Sequence, residues 1–286
     1  MRRIVIAVTA VMCLACAGVA SAAVVTKAST STNNGYKAGF TVGGGAKKNV
    51  GVSVVETLGS IAPTGFGVPY PLADIQTKVY GLSSPYAKYF PKCTVAQINA
   101  SSTFNAICPK DSLVASGTVS SDLSPSTVGT SATGPNPNLT APTAPCNVDL
   151  SVYNAGGGNL AYFFTLPSAD ACDGLQTGAA AAYPGTDKFS GGYLINNVPE
   201  EADISFNAGG AGLWSPLISE TLKWNGKVTV KGKSYPFMVS TGCKANKRPW
   251  SVTYTGTDYT GAETSPTQDI TTSLLPPVTV SASSSC

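Results

Sequence analysis

Apolar and polar residues alternate with a period of two along most of this chain, and few stretches show the three-to-four spacing of a helix. In residues 74–80, Ile75, Thr77 and Val79 share one face and polar residues the other, as in a half-buried antiparallel strand. Residues 36–42 and 50–58 are strand-like on either side of Gly43-Gly44-Gly45-Ala46-Lys47-Lys48-Asn49, which reads as a hairpin tip. The spacing of a phosphate-binding loop is absent there. Residues 147–153 alternate again, turn through the glycines of 154–158, and return as 159–166. In that return Leu160, Tyr162, Phe163 and Phe164 call for cover on both faces.

Further strands are expected over residues 112–119, 193–198, 203–207, 217–224, 250–254 and 277–282. Trp224-Asn225-Gly226-Lys227 places Asn-Gly between apolar neighbours and predicts a two-residue hairpin turn, with 227–239 as the returning arm. Residues 94–100 predict one or two helical turns. Residues 174–192 read as turns, including an alanine run at 179–182 too short for a helix. So many strands and so little helix predict an all-β, antiparallel β-sandwich, Ig-like or jelly-roll-like, disulfide-stapled and with long irregular loops. The domain layout expected is a signal peptide at 1–22 and a flexible leader at 23–34. Residues 35–286 then form one sandwich-type domain or two tightly associated β subdomains, with a mobile loop at 120–145.

The N-terminus supplies an address. Arg2 and Arg3 precede an apolar run over 4–20 and then Ala20-Ser21-Ala22, the layout of a secretory signal cut after Ala22. A lipoprotein signal around Leu14-Ala15-Cys16-Ala17 is the rival, but Cys13 stands where a branched apolar residue is wanted, which speaks against lipid anchoring. No later run approaches the roughly 20 apolar residues of a membrane-spanning helix.

Export changes the reading of the cysteines. Once Cys13 and Cys16 leave with the signal, Cys93, Cys108, Cys146, Cys172, Cys243 and Cys286 remain, an even set suited to an oxidising compartment. Six cysteines allow about 15 pairings. The in-order scheme, Cys93 with Cys108, Cys146 with Cys172 and Cys243 with Cys286, closes short-to-moderate loops. Scattered cysteines of this kind make staples rather than a metal site.

Charged residues are 12% of the chain, so Ser, Thr, Asn and Gly must carry solubility. Removing Arg2 and Arg3 from 18 basic residues leaves 16 against 15 acidic, a net charge of +1, which lacks the basic footprint of a nucleic-acid binder.

Candidate chemistry is sparse. The chain has no histidine, which removes Ser-His-Asp and Cys-His catalysis and His-ligated zinc. Serine motifs of the G-x-S-x-G and S-x-x-K kinds are missing. Glu200, Glu201 and Asp203, and separately Asp170 and Asp173, read first as solvated acids. A loop calcium site or a glycosidase pair is the sharper alternative. Trp214, Trp224 and Trp250, with Tyr183, Tyr193, Tyr254 and Tyr259, read as core aromatics or as a sugar-stacking platform. The run of Lys244, Lys247 and Arg248 reads as solvated, or as a contact for anionic envelope polymers. No metal and no cofactor is expected.

Residues 86–119 form the most specific stretch, and with three others they carry a resemblance. Phe90-Pro91-Lys92-Cys93-Thr94, Ile107-Cys108-Pro109-Lys110-Asp111-Ser112-Leu113-Val114 with Gly117-Thr118, the 147–154 hairpin, and Cys243 to Trp250 with a terminal Cys286 are the matching motifs. The chain resembles an uncharacterised family of secreted proteins of high-GC Gram-positive bacteria. The resemblance implies an extracellular, disulfide-bonded, β-rich fold and brings no activity with it. Here the segment 258–285 is longer and richer in proline than in similar sequences, which leaves the register of the last bridge open. The function expected is that of an extracellular or envelope-associated structural or adhesive protein without catalysis. A glycan-binding module is the alternative and a carboxylate- or metal-dependent hydrolase a distant third. Cell-wall glycan or another surface protein is the expected partner.

Overall fold

The computed structural model describes residues 29–61, 72–101, 107–122, 124–125, 145–165, 167, 180–199, 213–214, 217–258 and 273–286. In chain order the first strands are β1 Ser29–Asn33, β2 Tyr36–Gly43, β3 Val50–Gly51, β4 Ser53–Ser60, β5 Leu72–Tyr80 and β6 Leu82–Ser83. Next come β7 Leu113–Asp122, β8 Ser124–Pro125, β9 Pro145–Gly156, β10 Asn159–Thr165, β11 Ala180–Ser190 and β12 Tyr193–Pro199. The last are β13 Leu213–Trp214, β14 Leu217–Trp224, β15 Lys227–Val230, β16 Lys233–Pro236, β17 Val239–Ser240, β18 Lys247–Asp258, β19 Ser273–Leu274 and β20 Val278–Ser285. One short helix, α1 Val95–Asn99, follows the first cysteine of the corner.

The all-β, antiparallel expectation holds, but the strands are not divided into the two separate sheets of an Ig-like or jelly-roll sandwich. Thirteen of them join one sheet, in the order β1-β2-β4-β14-β7-β9-β10-β11-β12-β5-β18, with β19 and β20 both beyond β18. A sheet this wide accumulates twist and must curl to bury its inner face. Here it curls until its ends meet. Trp250 donates Nε1–H to Ser29 Oγ at 2.6 Å, the Tyr254 hydroxyl donates to the Lys37 carbonyl at 2.8 Å, and Asn33 Nδ2 donates to the Thr279 carbonyl at 2.9 Å. Tyr36 and Tyr254 stack across the seam with ring centres 4.7 Å apart, beside the Phe40–Trp250 contact. The seam is a side-chain closure: among the described residues no backbone ladder joins β1 to β20.

Alternation sorts the strands as expected. Ile75, Thr77 and Val79 of β5 and Trp250, Val252 and Tyr254 of β18 all face the interior. Strand β10 is covered twice. Leu160, Tyr162 and Phe164 enter the main core, whereas Ala161 and Phe163 join Cys93 and Ile98 in a second cluster beneath α1. Thr94 caps that helix through a reciprocal pair with Gln97, and Asn99 ties it to Ala182 through two hydrogen bonds. The β9–β10 hairpin forms as predicted, around Gly156, Gly157 and Gly158 in left-handed conformations.

Three local expectations change. Ser29–Asn33, placed in a flexible leader, is an edge strand paired with β2. Asn225-Gly226 makes no two-residue hairpin: β14 pairs with β4 and β7, while β15 pairs with β16 in a separate ribbon that turns at Lys231 and Gly232. Gly226 is there for close approach, because its N–H donates to the Val114 carbonyl and a Cβ would press on Val114 Cα at 2.6 Å. Residues 180–190, read as turns, form β11 between β10 and β12, with Pro184 opposite Ala161. The expected strand at 203–207 and all but the ends of the 120–145 loop lie outside the described residues.

Two of the expected bridges are formed, Cys93–Cys108 and Cys243–Cys286. Cys172 and the side chain of Cys146 lie outside the described residues. Replacing Cys93 and Cys108 together by serine is expected to cost about 3 kcal/mol, the loop-closure value for a bridge of this span. Urea titration checks this: the oxidised variant should melt earlier than the oxidised parent, and the two should coincide after reduction.

Candidate functional site

The residues that break the alternation mark where the interior becomes polar. Glu56 sits in the inward phase of β4 between Val54 and Leu58, and Glu220 sits in the inward phase of β14 before Leu222 and Trp224. The register sets Glu56 opposite Leu222 and Glu220 opposite Leu58, which makes the two carboxylates diagonal neighbours on one face. A small cavity separates them from Thr77, Asn196 and Tyr162 on strands that the curl brings across. Trp224 donates Nε1–H to Glu56 Oε2 at 3.1 Å. Desolvation outweighs that bond and pushes the Glu56 carboxyl up to about 7.

A third acid continues this polar thread. Asp187 of β11 accepts from the Ser84 hydroxyl and lies 3.5 Å from Asn196 Nδ2. Burial raises its carboxyl to about 6, against the opposing effect of Ser84. The interior therefore holds carboxyls that change charge between weakly acidic and neutral pH. Glu56 and Glu220 are 4% and 5% exposed, so they do not present themselves to a polymeric sugar in the way a glycosidase pair must.

At the end of the barrel where loops converge, Arg248 takes the inward phase of β18 and is 1% exposed. Its Nη1 donates to the carbonyls of Gly81 at 2.6 Å and Gly242 at 3.0 Å. Its Nη2 donates to the Gly45 carbonyl at 3.0 Å and to Ser240 Oγ at 2.7 Å. The partners are neutral oxygens, and desolvation lowers the guanidinium pKa. Gly81 has φ +73°, and a Cβ there would collide with the Gly242 carbonyl and with Arg248 itself.

The predicted site residues fare unevenly. Trp224 and Trp250 are 1% and 2% exposed and bonded through their indole N–H groups inside the protein, so neither offers a stacking face to sugar. They are core aromatics because each spends its polar atom on an interior oxygen. The side chain of Trp214 lies outside the described residues, as do Asp170, Asp173, Glu200, Glu201 and Asp203. Lys244 and Lys247 are exposed at a tight turn, but Arg248, read with them as solvated, is a buried clamp. Sequence reasoning misses Glu56, Glu220 and the burial of Arg248, and the signal that finds them is a charged residue in the apolar phase of a strand. Among the described residues no group of three or more Cys, Asp or Glu side chains is arranged to hold a metal ion, and no helix is long and apolar enough to cross a membrane.

No family model and no curated protein matches the chain. Among solved structures, a pore forming protein is similar at 9% identity and a TM-score of 0.26, over 81% of this chain and 78% of the other. Clostridium perfringens delta-toxin is similar at 8% identity and a TM-score of 0.23, over 90% and 86%. TM-scores this low carry no argument about fold or activity.

Proposed function

We propose that the chain is exported, cut after Ala22, and serves outside the cell or at its envelope as a structural or adhesive β-protein without catalysis. In this reading the halves of the curled sheet pack face to face as a sandwich would. The observation that carries the reading is the pair of bridges. Cys93–Cys108 fixes the corner and Cys243–Cys286 ties the end of β20 to the segment ahead of β18, which is the economy of a protein that matures in an oxidising compartment. A low charge content also suits a protein whose surface works through hydroxyl and amide groups rather than through a strong field.

Expression of the full chain in a Gram-positive host tests this. The expected product is in the medium or the wall fraction, begins at Ala23 by mass, has no free thiols, and sediments with purified walls only while oxidised and folded. Retention in the cytosol with reduced cysteines would overturn the export reading, and a secreted protein that ignores walls would overturn adhesion.

A further inference from the structure

The bridged corner carries a group of tyrosines on the outside of the barrel. Tyr86 and Tyr89 flank a single turn ahead of Phe90, and Tyr235 reaches them from β16. Ring centres lie 4.4 Å apart for Tyr89 and Tyr235, 5.2 Å for Tyr86 and Tyr235, and 6.2 Å for Tyr86 and Tyr89. Tyr89 is 38% exposed, and the other two are partly exposed. Lys88 holds its ammonium 5.2 Å from the Tyr89 ring centre, and Lys233 holds its own 5.3 Å from that of Tyr235. Among the described residues the three phenol hydroxyls have no hydrogen-bond partner and the two ammonium groups have no carboxylate.

The cluster is fixed from beneath. Phe90 packs edge-on against Phe237, which stacks on the buried Trp224. Asn154 Nδ2 lies within 3.2 Å of the carbonyls of Ala87, Phe90 and Pro91, and the Cys93 N–H donates to the Asn154 carbonyl at 2.9 Å. The bridge to Cys108 follows at once. Tyr235 stands two residues from Phe237, so the same anchor holds the other arm. Rings arranged in this way need little further ordering when a ligand arrives.

We propose that this tyrosine–lysine cluster is a binding site for an acidic glycan, a sugar chain bearing carboxylate or phosphate. The proposal rests on the adhesive reading and names its surface. Partly exposed phenol rings suit the C–H face of a pyranose, their hydroxyls suit its hydroxyl groups, and the two ammonium groups, which meet no carboxylate among the described residues, supply the charge complement. The lysines now lie over the rings as flexible cations, which a sugar ring can replace while the freed ammonium groups turn to its anionic substituents. Single-stranded nucleic acid also stacks on aromatic side chains, but it calls for a basic track along its backbone, and the mature chain carries a net charge of only +1.

Isothermal titration of the oxidised protein decides the matter, with an oligogalacturonate, a phosphorylated dextran oligosaccharide, neutral dextran and an oligodeoxythymidylate as probes. Binding is expected for an acidic sugar, the carboxylate or phosphate probe naming the source, and not for neutral dextran. The Tyr89→Ala/Tyr235→Ala protein should bind about tenfold more weakly or worse. The Lys88→Ala/Lys233→Ala protein should lose a similar factor together with the salt dependence. The lysine variant should keep the parental denaturation midpoint, and the tyrosine variant, which loses the packing of Tyr235 on the core, should melt earlier yet remain fully folded at the titration temperature. Failure of both acidic sugars to bind, equal binding by both double variants, or equal binding of the oligonucleotide would overturn the proposal. Wall sedimentation separates the two readings. Walls that pellet parent and variants alike leave adhesion standing and remove this cluster from it. Sugar binding without wall binding does the reverse.

Discussion

Replacing Arg248 by methionine is expected to destabilise the protein by on the order of 5 kcal/mol, close to the whole folding free energy of a marginal domain. A buried ion pair exchanged for apolar side chains often costs little, because two charges leave together. Arg248 is a different case. Among the described residues it is a cation without a carboxylate partner, and its fork satisfies the carbonyls of Gly45, Gly81 and Gly242 and the hydroxyl of Ser240. Methionine fills much of the space and leaves those oxygens facing a thioether, each losing a charge-assisted bond at a buried or part-buried position. Because the oxygens belong to separate loops, their release should also loosen the end of the barrel where those loops converge. Arg248→Lys should recover less than half of the loss, since one ammonium cannot reproduce the fork. Guanidinium titration of both variants is the check, and a methionine variant within about 1 kcal/mol of the parent would show that the loops hold without the clamp.

The second large effect is a fall in stability as pH rises. Glu56 and Asp187 have folded-state pKa values of about 7 and about 6, above their ordinary values of 4.5 and 3.8, because burial disfavours their charged forms. Below pH 4 both folded and unfolded chains hold these protons and nothing is lost. Between the unfolded and folded values the native state keeps protons that the unfolded chain releases, so stability declines with pH. The decline runs from about pH 4 to about pH 6 for Asp187 and from about pH 4.5 to about pH 7 for Glu56, then stops. At about 1.4 kcal/mol for each pH unit that separates the folded from the unfolded value, the two acids together amount to roughly 6 kcal/mol at full extent. The Glu56→Gln/Asp187→Asn protein should show that much less loss between pH 4 and pH 8. The amide oxygens introduced by these substitutions can still accept from Trp224 and Ser84, so packing is kept while the titration is removed. Thermal unfolding across that range reads the difference, and parallel pH curves for parent and variant would rule the two acids out as its source.

Strand identity was legible where one face is apolar and the other polar. Residues 74–80 and 250–254 alternate without interruption and are β5 and β18, and the doubly apolar 159–165 is the doubly covered β10. The one or two helical turns expected over 94–100 are α1, whose Thr94 cap is a local interaction. Strand order was not legible, since β14 inserts between β4 and β7 through contacts across more than a hundred residues, which no periodicity records. Strand β11 escaped because Ala, Pro184 and Gly185 carry none of the usual strand signal, so its neighbours β10 and β12 impose its conformation. Asn225-Gly226 misled in the opposite sense: the dipeptide permits a tight turn, yet here its glycine allows the close backbone approach of Val114. At the candidate sites, the buried acids and Arg248 were visible in principle as charges out of phase. The tyrosine cluster was not, because Tyr235 meets Tyr86 and Tyr89 only through the tertiary fold.

The terminal bridge also has a mechanical meaning. Cys286 directly follows β20, and its sulfur is joined to Cys243 just ahead of β18. A pull transmitted through Cys286 therefore passes across the bridge to residue 243, and the β18–β20 pair lies outside the line of force. The 43 residues of separation cannot be drawn out while the bridge is oxidised, a reserve of about 15 nm of contour. A tether pulled through Cys286 would yield elsewhere in the sheet first and would release the bridged length only after the disulfide is reduced.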